Sequence, residues 1–119
     1  MTMNKDEFFS WISGPLREAR HTIDGRQIRL REMSEEQRTQ YELMLQDKKG
    51  KPDIAKARRA MIAMMLIDDE GNRIVDDESQ LKAMPGGLAG LIYEKCLELS
   101  RYQAGEVEEL IKNSETADG

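Results

Sequence analysis

Apolar positions along this chain recur with more than one period, and each change of period marks a new element. In "NKDEFFSWIS", Phe8, Trp11 and Ile12 fall at i, i+3 and i+4, with Asn4 ahead of an acidic turn and Glu7 three residues later. That pattern predicts a short helix within residues 1–15, capped by Asn4. Gly14-Pro15 ends it, because proline has no amide donor and steers its predecessor out of helical angles.

The period then drops to two across residues 16–33, "LREARHTIDGRQIRLREM". Asp24-Gly25 signals a hairpin, since both central residues of a type I′ turn need positive φ. The turn sets Ile23 opposite Arg26, His21 opposite Ile28 and Ala19 opposite Leu30. Ile23, Ala19, Ile28 and Leu30 then share one face, while Arg20 meets Arg29 on the other. One side of the hairpin is apolar and the other basic, either a solvated face or a surface for an acidic ligand.

From Ser34 the helical period returns. "SEEQ" is a capping box, and a helix running to about Gln46 carries Tyr41, Met44 and Leu45 on one stripe. "DKKGKPD" breaks it into an exposed linker, and Asp53 restarts a helix as its N-cap. In "IAKARRAMIAMMLI", Ile54, Ala57, Met61, Met64 and Met65 recur at helical spacing, and Ile62, Leu66 and Ile67 widen the stripe until the helix end is apolar on nearly every side. Such a helix is central to a core or offers a surface that a partner must cover. "DDEGN" reads as a tight turn, "RIV" as a short β-like step, and "DDESQ" as acids at the positive end of a new helix. After Pro85-Gly86-Gly87, a helix is expected with Leu88, Leu91, Ile92, Cys96 and Leu99 on one face. A last short helix carries Val107, Leu110 and Ile111 and stops near Asn113, leaving residues 114–119 as a frayed tail. The expected fold is α+β and mostly α-helical: a single domain over residues 1–119, with a short N-terminal β-hairpin packed on four or five short helices in a helical body at 34–113.

Composition narrows the function. The 119 residues suit one domain, and 34% of them are charged, so the core is small. Charge is split between the halves: Met1 to Ile67 holds 13 basic and 10 acidic residues, Asp68 to Gly119 holds 5 basic and 13 acidic ones. A net charge of −5 argues against general nucleic-acid binding, which draws its affinity from a basic surface. Cys96 stands alone, so an internal disulfide is excluded and a reducing, cytosolic setting is expected. The first residues lack the apolar run of a signal peptide, and no stretch is apolar for long enough to span a bilayer.

Little chemistry presents itself. Six carboxylates lie between Asp68 and Glu78, but the EF-hand needs its glycine at position 6, and counted from Asp68 it comes at position 4. The stretch reads as a turn and a helix start, and no metal or cofactor is expected. His21, the sole histidine, reads as an edge-of-core strand residue, and Cys96 as a small buried hydrophobe. "PGGLAG" lacks the Lys-Ser or Lys-Thr of a phosphate loop.

The run from Arg58 to Ser114, taken in order, carries a resemblance. An arginine-bearing helix ends in an apolar run at Ile67, and the turn Asp69-Glu70-Gly71 follows with a hydrophobic step at Ile74 and Val75. Acids at Asp76 and Asp77 lead to Leu81, and the run closes with a leucine-rich helix ending near Ser100 and an acidic helix from Glu106. With the upstream "DGRQIRLREMSEEQRTQYE", this order resembles the tail assembly chaperones of long-tailed, siphovirus-like bacteriophages over roughly residues 20–114. The chain departs from that pattern at Ile74-Val75, where an aromatic is more usual, and at Pro85-Gly86-Gly87.

The resemblance implies a non-enzymatic protein that escorts the tape measure protein in the host cytoplasm. It implies contact with the major tail protein and absence from the finished virion, and it leaves self-association open. The expected partner surface is Met61, Met64, Met65 and Leu66, with Arg20 and Arg29 as a secondary contact. The same methionines also read as core. The rival readings are a small regulator that sets the arginine face on nucleic acid, and a small hydrolase with a carboxylate site.

Overall fold

The computed structural model describes residues 1–47, 49 and 52–116. Its elements are α1 (Lys5–Ile12), β1 (Glu18–Ile23), β2 (Arg26–Arg31), α2 (Glu35–Leu45), α3 (Ile54–Met65), β3 (Leu66–Ile67), a 3₁₀ turn (Glu78–Leu81), α4 (Gly86–Leu99) and α5 (Glu106–Thr116). Five helices and a three-stranded antiparallel sheet ordered β1-β2-β3 make it α+β and mostly helical.

The hairpin register matches the one the turn predicts, with Ala19 opposite Leu30, Arg20 opposite Arg29 and Ile23 opposite Arg26. Asp24 and Gly25 take φ of 52° and 74°, as a type I′ turn requires. Leu30 is buried, and Ile23 and Ile28 pack against the same core. The capping box also forms: Ser34 Oγ accepts from the Gln37 amide at 3.1 Å, and Gln37 Oε1 accepts from the Ser34 amide at 2.9 Å.

α3 is the axis of the fold. Asp53 Oδ1 accepts the Lys56 amide at 2.8 Å and starts the helix. Ala57, Ala60, Met61, Ile62, Ala63 and Met65 are all buried, so the helix is covered by α4 on one side and by α2, α5 and the 3₁₀ turn on others. Tyr41 on α2 donates its hydroxyl to the Ala57 carbonyl at 2.9 Å, which fixes α2 against α3.

Three expectations need correction. Helical spacing predicts that Leu66 and Ile67 extend α3, but they form β3 and pair with Leu30 and Arg29 of β2. The cause is the turn that follows. Asp68 Oδ1 accepts the amides of Glu70 and Asn72, Gly71 takes φ 84°, and Ile67 bridges Arg73, so the chain folds back as a strand and the open edge of β2 gains a partner. Leu91 lies exposed on α4, where Ile92, Tyr93 and Cys96 carry the buried face. α5 continues to Thr116, beyond the stop expected at Asn113. Lys48, Gly50 and Lys51 of the expected linker, and residues 117–119 of the expected tail, lie outside the described residues.

A final feature sets α1 apart. None of its residues is buried and it has no extensive contact with another element. Consistent with a projecting segment, the radius of gyration is 15.9 Å, against about 13.5 Å for a compact chain of this length.

Met61→Ala should cost about 2–5 kcal/mol in urea unfolding, the range for emptying a buried methionine site. A loss within about 0.5 kcal/mol would place Met61 on the surface instead.

Candidate binding surface

The structure separates the residues proposed for partner contact. Met61 and Met65 are 0% exposed and belong to the core, so they offer no surface in this conformation. The reason is packing: the small residues Ala57, Ala60 and Ala63 let neighbouring helices approach α3 closely, and the two methionines fill the space between. Met64 and Leu66 are half-buried against that core.

Arg20 and Arg29 do lie together on the outer hairpin face, but the face is neutralised from within. Arg29 Nε donates to Glu18 Oε1 at 2.9 Å, Nη2 to Glu18 Oε2 at 2.6 Å, and Nη1 to the carbonyls of Asp68 and Asp69 at 3.1 and 3.0 Å. Arg20 donates to Gln27 at 3.3 Å and stands 3.8 Å from Asp69 Oδ1. The turn after β3 thus answers the cross-strand arginine pair, and Arg29 is the member locked in place.

Much of the acidic stretch is spent on local structure. Asp68 holds its own turn through the amides of Glu70 and Asn72. The Ser79 hydroxyl donates to Asp77 and holds that exposed carboxyl below the usual range. Glu78 accepts from Arg59 Nε at 2.6 Å, tying the 3₁₀ turn to α3. Among the described residues, no group of three or more His, Cys, Asp or Glu side chains could hold a metal ion.

Arginines also line a cleft of about 330 Å³ between α1 and the body, walled by Trp11, Arg17, Glu32, Ser34 and Arg38. Arg17 donates to the Leu99 carbonyl at 2.7 Å and to Glu32 at 2.6 Å. Arg38 donates to the Ser100 carbonyl at 3.0 Å and to Glu106 at 3.3 Å, and it lies 3.9 Å above the Tyr102 ring. Both guanidiniums satisfy the C-terminal carbonyls of α4 and leave the cleft a structural junction rather than an anion trap. Cys96 is enclosed, and burial pushes its thiol up to about 12. His21 is half-buried on β1.

What remains is α1. Phe8, Phe9, Trp11 and Ile12 are 43, 52, 67 and 55% exposed. The rings of Phe8 and Phe9 meet edge to face at 5.5 Å, and those of Phe8 and Trp11 at 6.3 Å. Asn4 Oδ1 accepts the Glu7 amide at 2.8 Å, which sets the start of the helix. At 100° per residue, the four apolar side chains cover an arc of about 160°. Both phenylalanines and the only tryptophan of the chain sit on this one helix. That clustering ahead of a Gly-Pro break was the sequence signal, and reading α1 as an ordinary capped helix missed it.

With this geometry in view, comparison with protein-family models, curated proteins and solved structures finds no match.

Arg29→Met should lower stability by about 1–3 kcal/mol in urea unfolding, because it strands Glu18 and two carbonyls. Arg20→Met should stay within about 0.5 kcal/mol, as an exposed charge does. Equal losses would contradict the assignment of Arg29 as the anchored member. The thiol of Cys96 gives a pH test. Its folded pKa of about 12 lies above the ordinary 9.0, so its contribution is complete below pH 9.0 and is lost as pH climbs toward about 12. The urea midpoint should fall over that window, and a thiol reagent at pH 8 should label Cys96 only after denaturant is added. Rapid labelling of the native protein would show the site to be open.

Proposed function

We propose that this protein is a tail assembly chaperone of a long-tailed bacteriophage, acting by binding and not by catalysis. Its client is a helical segment of the tape measure protein, and the contact is the aromatic face of α1. That face is the observation that carries the reading: an amphipathic helix holding three aromatic rings and an isoleucine outside the folded body.

The chemistry suits an escort. Aromatic side chains supply most of the energy at interfaces, and an amphipathic helix recognises another helix by burying one apolar stripe. At 150–250 Å² per aromatic side chain, the exposed parts of Phe8, Phe9, Trp11 and Ile12 amount to roughly 450 Å². Burying them gains on the order of 10 kcal/mol, most of which is offset by the freedom lost on association. The result is weak, reversible capture, which is what a chaperone needs if tail-tube subunits are to displace it. In this reading the protein acts in the host cytoplasm, helps recruit the major tail protein and is absent from the finished virion. Among the described residues, no helix is long and apolar enough to cross a membrane.

The regulator reading has less support, because Arg29 is committed to Glu18 and the turn carbonyls and Arg20 faces Asp69.

The test is co-expression of the full chain with fragments of a tape measure protein from the genome that carries this gene. A complex should form with at least one helical fragment. Trp11→Ala and Phe8→Ala should each weaken it at least about tenfold without moving the unfolding midpoint of the free protein. Absence of any complex, or alanine variants that bind as well as the parent, would refute the reading. A salt-sensitive gel shift with nucleic acid would favour the regulator.

A further inference from the structure

The same helix has a second use that needs no client. We infer that α1 pairs antiparallel with α1 of a second copy of this chain, forming a weak, two-fold symmetric dimer.

The first ground is that α1 is too short to stand alone. Isolated helices below about 12–15 residues are marginal in water, and most helical stability in proteins comes from packing an apolar face. α1 has 8 residues and buries none of them in its own body. Its ends have local support, from the Asn4 cap and from the Ser13 hydroxyl donating to the Phe9 carbonyl at 2.6 Å, but its apolar arc stays largely exposed, with Trp11 alone turned toward the cleft against the body.

Charge placement selects the orientation. Asp6 and Glu7 lie in the first turn, and no basic residue lies in the last. Lys5 falls inside the apolar arc at its N-terminal edge, by the same 100° spacing. In an antiparallel pair centred between Phe8 and Phe9, Lys5 comes opposite Ile12 of the partner. Its ammonium then reaches the carbonyl end of the partner helix, where a cation is favoured and the chain supplies none of its own. A parallel pair would set Lys5 against its own copy and bring both acidic first turns together. The two-fold axis also places each Phe8 on the partner's Phe9, so the rings that touch within one chain extend into a four-ring cluster.

Area sets the strength. The four apolar residues of α1 expose about 450 Å² per copy, or about 900 Å² for the pair. That is below the standard range of specific interfaces and suits a weak dimer that forms at high micromolar concentration and gives way to a better helix. A lipid surface fits less well: interfacial helices carry several Lys or Arg on the polar face, whereas this one presents Asp6, Glu7 and Ser10 there.

The test uses the purified full chain, so its result stands apart from capture of a tape measure fragment. Sedimentation from about 1 to about 500 μM should show the mass rising from 13.7 kDa toward twice that value. Emission of Trp11, the only tryptophan, should shift blue with the same midpoint. Phe8→Ala and Trp11→Ala should each weaken association at least about tenfold, with the unfolding midpoint of the body unchanged. Mixed Lys5→Cys and Ile12→Cys proteins should cross-link to each other under mild oxidation. A monomer at every concentration would overturn the inference, and so would a dimer indifferent to both alanine variants or cross-links only between identical positions. A blue shift with phosphatidylglycerol vesicles and no change of mass in their absence would assign the face to lipid instead.

Discussion

The burial of α3 is the constraint on which the rest of the molecule depends. A twelve-residue helix that is covered on nearly every side must be met by several neighbours at once, and α4, α2, α5 and the 3₁₀ turn all do so. Its three buried alanines set how close those neighbours come, and Met61, Ile62 and Met65 fill what is left. Because the mid-chain methionines are spent in this way, their soft side chains serve fit within the core. Any contact with other molecules is left to residues that the core does not use.

Around that axis, arginines supply what the helix ends lack. None of α2, α3 and α4 carries a basic residue in its last turn. Arg73 donates to the Ala63 carbonyl of α3, and Arg17 and Arg38 donate to the Leu99 and Ser100 carbonyls at the end of α4. The unequal charges of the two halves then acquire a structural meaning. Basic residues of the first half repeatedly meet acidic residues or carbonyls of the second, as in Arg38 with Glu106, Arg59 with Glu78 and Arg29 with the turn at Asp68 and Asp69. Partly buried pairs of this kind fix the register of packed elements more than they add to stability.

How much was legible follows from how local each determinant is. The hairpin register and the Ser34 capping box are written within a few residues, in the Asp24-Gly25 turn and the spacing of Ser34 and Gln37, and the fold reproduces both. The end of α3 is not local. Leu66 and Ile67 continue the helical stripe; the turn at Asp68 folds the chain back, and the open edge of β2, some 36 residues earlier in the chain, supplies the partner that makes them a strand. The α1 surface was illegible for a different reason. An amphipathic pattern is the same whether its apolar face packs on its own body or stays outside, so spacing identifies the helix but not what covers it. Only the gathering of three aromatic rings ahead of Gly14-Pro15 distinguishes it from a core helix.

Placing the aromatic face on α1 divides the chain's residues between two tasks with little overlap. The core cluster includes no residue of α1, and α1 buries none of its own, so the body can hold its fold whatever α1 contacts. Gly14-Pro15 reinforces the division, because proline interrupts the helix before the hairpin begins and prevents the two from merging into one rigid element. A binder built this way trades apolar surfaces without straining its core. It also keeps an exposed greasy patch small, since only one short helix carries it, which limits the aggregation that a larger patch would invite. On the proposed roles, client capture and self-pairing would draw on the same rings, so each would limit the other: a surface that pairs weakly with its own copy would stay covered until a longer helix with more apolar area displaced it.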